Sequence, residues 1–306
     1  MTQSVLELSH VTKRYGLQTA VDDLSFSVAG GGITGFLGPN GAGKSTTLKM
    51  IIGILTPDAG QIRVFAGPLD PQRLKRIGYL PEERGLYRKM TPLAVITYFA
   101  RLKGMKGGDA RLRARDLLER YGLGDAMQRP VKALSKGMAQ KVQILAILAH
   151  EPEFLILDEP FSGLDPVNQQ TLEDLVRERA ARGASVLFST HVMQHAERLC
   201  DRVVMIGAGR KAFDGTVREA VARAPRAARI ETDPDADLSE ALGAFRAHRG
   251  ERPGVWVIDV EDDAEAAAAL TRVVAHGAPV RRFEPTRASL HDAFVAILGQ
   301  AGSDGS

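Results

Sequence analysis

Apolar residues occur in short runs through the first third of the chain, each bounded by glycine, proline or charge. The runs at 5–8 and 21–28 read as strands. Ile33-Thr34-Gly35-Phe36-Leu37 reads as a short buried strand, and Leu48, Ile51, Ile52 and Leu55 then recur at helical spacing, which predicts a helix over 44–55. Two more strands are expected at 61–65 and 77–80, with a turn at 56–60 between helix and strand. Pro81 to Gly85 interrupts regular structure.

From residue 92 the period becomes helical, predicting helices over 93–102, 110–121 and 138–149. Phe154-Leu155-Ile156-Leu157 is a continuous apolar run, the pattern of a central parallel strand covered on both faces. A helix at 167–181, a strand at 185–189, a helix ending at Leu199 and strands at 202–206 and 211–213 follow. Strands alternating with helices predict an α/β fold with a mostly parallel sheet. Beyond about 217 the chain becomes rich in alanine, and the pattern predicts β 228–232, α 238–249, β 255–260, α 264–276, β 280–283 and α 289–298, with Trp256 in a core. The expected division is a domain at 1–216 with a helical subdomain at about 90–150, a small α+β domain at 217–300 and a tail at 301–306.

Composition changes this picture little. Of 306 residues 44% are hydrophobic and 25% charged, as in ordinary soluble proteins, and the net charge of +3 gives no reason to expect nucleic acid as a partner. Basic clusters at Arg73-Lys75-Arg76, Arg84-Arg88-Lys89 and Arg111-Arg113-Arg115 read as solvated faces. The single cysteine, Cys200, excludes an intramolecular disulfide, which fits a reducing cytosol. No run approaches the ~18 apolar residues of a membrane span, and the first residues lack the pattern of a secretion signal.

The candidate chemistry begins at Gly38-Pro39-Asn40-Gly41-Ala42-Gly43-Lys44-Ser45-Thr46, a full match to the G-x-x-x-x-G-K-[ST] phosphate loop. It lies between a predicted strand and a predicted helix, as the motif requires. Glycines let successive N–H groups converge on phosphate oxygens, and the helix N-terminus adds partial positive charge. Lys44 is expected to bridge the β- and γ-phosphates and Ser45 to hold Mg²⁺. Asp158 and Glu159 end the apolar run at 154–157. At the carboxyl end of such a strand Asp158 can hold Mg²⁺ and Glu159 can point at an attacking water.

With these motifs in place the chain resembles the ATPase subunit of ATP-binding-cassette (ABC) transporters over about 4–215. The resemblance implies a P-loop ABC cassette with a helical subdomain, binding ATP and Mg²⁺. Tyr15 resembles the aromatic that stacks on adenine. Glu82 stands where the family has the glutamine of its Q-loop, an oxygen ligand for the metal. Leu134-Ser135-Lys136-Gly137-Met138 resembles the signature sequence, with Ser135 and Gly137 meeting the γ-phosphate of a second subunit. Ser162-Gly163-Leu164-Asp165 resembles the loop that crosses the dimer interface, and His191 the switch histidine. His191 and His195, spaced i,i+4, have a rival reading as zinc ligands, but Val192 takes the place of a metalloprotease glutamate and no third ligand is evident. Glu82, Lys136 and Met138 depart from the family's glutamine, glycine and glutamine.

Short motifs at 77–87 and 135–143, and the closing stretch Arg287-Ala288-Ser289-Leu290-His291-Asp292-Ala293-Phe294, resemble bacterial exporters of the sodium-extruding and drug-resistance type. That resemblance implies a homodimer clamping two ATP molecules and driving a separate integral membrane permease from the cytoplasmic face of the membrane. The alternatives are a soluble ABC ATPase acting on nucleic acid or ribosomes and a regulatory cassette with weak hydrolysis.

Overall fold

The computed structural model describes residues 4–82, 85–250, 252–286 and 288–303. Arg84 of the second basic cluster, Arg287 of the closing stretch and 304–306 of the expected tail lie outside the described residues. The chain divides into two compact units, Met1–Thr216 and Val217–Ser306.

In the first unit β1 (Ser4–Tyr15) and β2 (Gln18–Ala29) form an antiparallel hairpin. β3 (Gly32–Leu37) crosses into a second sheet and feeds the glycine loop and α1 (Lys44–Ile51). This helix stops four residues short of the expected end, because Gly53 takes a left-handed φ of 75° just past its C-cap. Leu55 still packs on the core, so its helical spacing reports burial rather than helix. β4 (Ala59–Val64) pairs with β1, and β5 (Gly67–Pro68) pairs with β4. The resulting antiparallel sheet has the order β2-β1-β4-β5.

α2 (Pro71–Lys75) is capped by Asp70, which accepts from Arg73 N at 2.8 Å, and leads to β6 (Ile77–Leu80). The helical stretch follows as α3 (Pro92–Leu102), α4 (Gly107–Arg120) and α5 (Lys136–Leu148). β7 (Phe154–Asp158), α6 (Pro166–Ala181), β8 (Ser185–Thr190), α7 (Met193–Leu199), β9 (Arg202–Gly207) and β10 (Arg210–Thr216) complete the unit. The second sheet has the order β10-β9-β3-β8-β7-β6, and every pairing but β10 with β9 is parallel. The expected mostly parallel sheet is therefore present. Every residue of β7 and β8 is buried, with the apolar runs 154–157 and 186–188 at their centres, as strands covered on both faces require. The two sheets share a core in which Phe26 stacks on Phe36 at 5.3 Å and Leu48 and Ile51 of α1 are fully buried.

Register decides where function can sit. Ser189 of β8 lies opposite both Phe36 of β3 and Asp158 of β7. The glycine loop, the Asp158-Glu159 pair and the Thr190-His191 pair thus leave three neighbouring strands at the same end.

The second unit has α8 (Val217–Val221), β11 (Arg226–Glu231), β12 (Arg246–Arg249), β13 (Val255–Val260), α9 (Asp263–Ala275), β14 (Arg282–Thr286) and α10 (Leu290–Ser303). Its sheet is antiparallel in the order β12-β13-β11-β14. The helix expected over 238–249 is absent. Leu238, Ala241 and Leu242 are buried at helical spacing, but they make one turn, closed by Leu242 N donating to Leu238 O at 2.9 Å. Residues 246–249 then pair with β13 as an edge strand whose Arg-Ala-His-Arg sequence carries no apolar alternation. The last strand also lies further along than the expected 280–283, with Phe283 opposite Ile230 and Pro285 tolerated because β14 is an edge. Trp256 is buried in this unit's core. α10 runs beyond 298, through the first half of the expected tail.

Candidate active site

The glycine loop is shaped by positions only glycine can fill. Gly43, the N-cap of α1, has φ 96°, and a Cβ there would stand 2.3 Å from Ala20 O. A Cβ on Gly38 would stand 2.7 Å from Ile206 O. Close packing on both sides fixes the head of α1, whose first amides have no partner inside the helix, beside a cleft of about 520 Å³. Tyr15, Asn40, Gly41, Gly43, Lys44, Ser45, Thr46, Glu82, Glu159 and His191 all line that cleft. The space is on the scale of small-molecule sites, roughly 300–1,000 Å³.

Lys44 is 6% exposed, and its Nζ donates to Gly38 O at 2.7 Å and Pro39 O at 3.1 Å. Glu159 Oε1 lies 3.7 Å from the same nitrogen. Burial pulls the Lys44 ammonium below the ordinary lysine range, against the opposing pull of Glu159, Asp158 and Glu82. Glu159 also contacts His191, with Oε1 2.9 Å from Nδ1. Ser45 Oγ donates to Asp158 Oδ1 at 3.3 Å. The same carboxylate oxygen accepts from Ser189 Oγ at 2.6 Å, and Ser189 Oγ in turn accepts from Glu159 N at 3.1 Å.

A family model described as ABC transporter matches residues 21–162. The uncharacterized ABC transporter ATP-binding protein YhaQ of Bacillus subtilis is 38% identical over 298 residues, covering 96% of this chain and 99% of its own length. The chain belongs to the ABC transporter ATP-binding protein family. The Nod factor export ATP-binding protein I of Burkholderia orbicola is 36% identical, covering 99% of this chain and all of its own length. A solved ATP-binding subunit of an ABC transporter superposes with a TM-score of 0.66 at 35% identity, over 71% of this chain and 91% of that one.

As a member of this family the chain is an ATP-binding cassette and an ATPase. Its motifs fall into two groups in space. Ser135, Gly137 and Asp165 do not line the nucleotide cleft among the described residues. Ser135 caps α5 by accepting from Met138 N at 3.2 Å, and Asp165 caps α6 by accepting from Asn168 N at 3.0 Å. Asn168 joins the two: its side-chain amide donates to Asp165 Oδ2 at 2.5 Å and would meet a Cβ on Gly137 at 2.5 Å. The signature and the loop before α6 are thus one surface.

The two histidines of the zinc alternative part company in the cassette. His191 is half exposed on Glu159, whereas His195 is buried and stacked on Phe161 at 4.3 Å. Gln18 and Ala20 also line the cleft, and Ser189 holds Asp158, although none was expected from sequence. Ser162, the first residue of the loop expected at the dimer interface, lines it as well, so that loop begins at the cleft and ends at the Gly137 surface. Ser189 had a signal: it is the last serine of the strand that delivers His191. Two of the basic clusters each hold an arginine paired with a carboxylate, Arg76 with Glu153 at 2.6 Å and Arg113 with Glu151 at 2.8 Å. No helix among the described residues is long and apolar enough to cross a membrane.

Proposed function

We propose that two copies of this chain close on two ATP molecules and drive a separate integral membrane permease, in the direction of export. Each copy supplies the loop 38–46, Asp158, Glu159 and His191 to one nucleotide, and Ser135, Gly137 and Asp165 to the other. The observation that carries this reading is the spatial split: the nucleotide cleft holds Lys44, Glu159 and His191 within hydrogen-bonding or ion-pair reach of one another, and the Ser135–Gly137 surface stands apart from it.

The amides of the glycine loop and the Lys44 ammonium bind the triphosphate, and Tyr15, half exposed at the mouth of the cleft, offers a ring face to adenine. Glu159 accepts a proton from the attacking water. His191, hydrogen-bonded to Glu159, orients that carboxylate and donates toward the γ-phosphate. The donors at Ser45 and Asp158, two hard oxygens 3.3 Å apart with Glu82 lining the same cleft, suit Mg²⁺. When bound, Mg²⁺ supplies positive charge for the phosphate oxygens. Ser135, at the head of a thirteen-residue helix, offers an anion-binding N-terminus to the facing nucleotide.

Export is supported by the relative named for Nod factor export, which matches over its whole length. The permease would place the cassette at the cytoplasmic face of the membrane as a peripheral subunit. Affinity isolation of the tagged chain from its own cells tests the partnership. An integral membrane protein is expected in stoichiometric amount; ribosomes or DNA in its place overturn it.

A further inference from the structure

The turn that follows β7 is strained at Glu159. Its φ of 45° lies in the left-handed region, which non-glycine residues rarely adopt. Surrounding contacts must hold it there. Ser189 Oγ accepts from Glu159 N, and Gln140 Nε2 donates to Pro160 O at 2.9 Å. A third contact comes from α7, where the His195 imidazole lies flat on the Phe161 ring at 4.3 Å with an interplanar angle of 17°. Phe188 closes the other side edge-on at 5.8 Å.

His195 is itself fixed by charge. Its Nδ1 stands 3.1 Å from Arg198 Nη2 and 3.4 Å from Glu173 Oε1, and Glu173 accepts from Arg198 at 2.6 Å. Glu173 is 2% exposed on α6, the helix that Asp165 caps. A buried carboxylate is a costly way to fill space, and an apolar side chain would fill it as well. What the carboxylate adds is a single orientation for the imidazole, and through stacking a single position for the ring two residues after Glu159.

We propose that His195, held by Glu173 and Arg198, is a positioning residue for Glu159: its ring clamps Phe161 and so holds the turn in its left-handed conformation. The proposal rests on the reading of Glu159 as the proton acceptor. Because α7 begins two residues after His191, the helix that follows His191, whose Nδ1 meets one oxygen of Glu159, also fixes the far end of the Glu159 turn.

The test is steady-state ATP hydrolysis and ATP-binding stoichiometry of the full chain, comparing wild type with Glu159→Gln, His195→Ala and His195→Phe. His195→Ala lowers kcat about tenfold to a hundredfold through misplacement of the carboxylate, while KM stays within about twofold because no contact in the nucleotide cleft is lost. His195→Phe keeps a ring on Phe161 and recovers most of kcat. A merely structural histidine would lower kcat and bound ATP together, and that result overturns the proposal, as does a His195→Phe variant no better than His195→Ala. Wild-type turnover in His195→Ala with Glu159→Gln inactive overturns the clamp and leaves the reading of Glu159 standing. Wild-type turnover in Glu159→Gln overturns both.

Discussion

His191 and Glu159 are 32 positions apart in sequence, and Nδ1 of one stands 2.9 Å from Oε1 of the other. The contact orients the carboxylate toward the cleft that the glycine loop lines. Removing the proposed base with Glu159→Gln is expected to lower turnover by ~10²–10⁴, about 3–5 kcal/mol of barrier. His191→Ala should cost less, and the double variant should be no slower than Glu159→Gln alone, since the two act as a unit. Single-turnover hydrolysis measures all three.

Gly43 carries a backbone requirement that no chemistry of the loop reveals. With φ at 96° and Ala20 O 2.3 Å from an added Cβ, Gly43→Ala must displace β2 or distort the head of α1. The expected result is a loss of roughly 1–3 kcal/mol of stability, together with loss of ATP binding. Denaturant unfolding and nucleotide titration of the same variant check both.

Ser189 lies behind the proposed Mg²⁺ site, donating to Asp158 at 2.6 Å. Ser189→Ala is expected to raise the Mg²⁺ concentration for half-maximal hydrolysis by ~10–100-fold. A chelator should abolish hydrolysis in wild type and variant alike. Magnesium titration of the rate, with competition by Mg²⁺ in a metal-binding assay, separates weaker metal binding from slower chemistry.

His150 is half-buried, and burial, with the Lys103 charge next, pushes its imidazole down to about 4, against a backbone contact with Ile77 that opposes the shift. The unfolded chain takes up a proton below about 6.5 that the folded chain refuses until about 4. Stability therefore falls as pH drops through that window, by ~3 kcal/mol from this residue. His150→Leu should lose less melting temperature than wild type between pH 6.5 and 4. An equal loss in both would show that His150 does not set the acid limit.

Much of the cassette was legible because its signals are local. The apolar run 154–157, the glycine loop and the pair at 158–159 each announce themselves within ten residues, and the parallel sheet then places them side by side. What sequence hid were relationships made only by the fold. Ser189 meets Asp158 through sheet register, and His195 meets Phe161 through the return of α7. The error at 238–249 had the opposite cause: one turn of Leu238, Ala241 and Leu242 satisfies a helical period as well as three turns would, and edge strand β12 owes its pairing to the backbone of β13 rather than to apolar alternation.

In the proposed dimer each chain holds half of two sites, since Ser135 and Gly137 do not line the cleft that Lys44 and Glu159 line. Light scattering of purified Glu159→Gln, in which bound ATP persists, measures it most directly. The mass should double on adding ATP with Mg²⁺, and Ser135→Arg should prevent the doubling without abolishing ATP binding. A monomer at saturating ATP would rule out a nucleotide site shared between two chains.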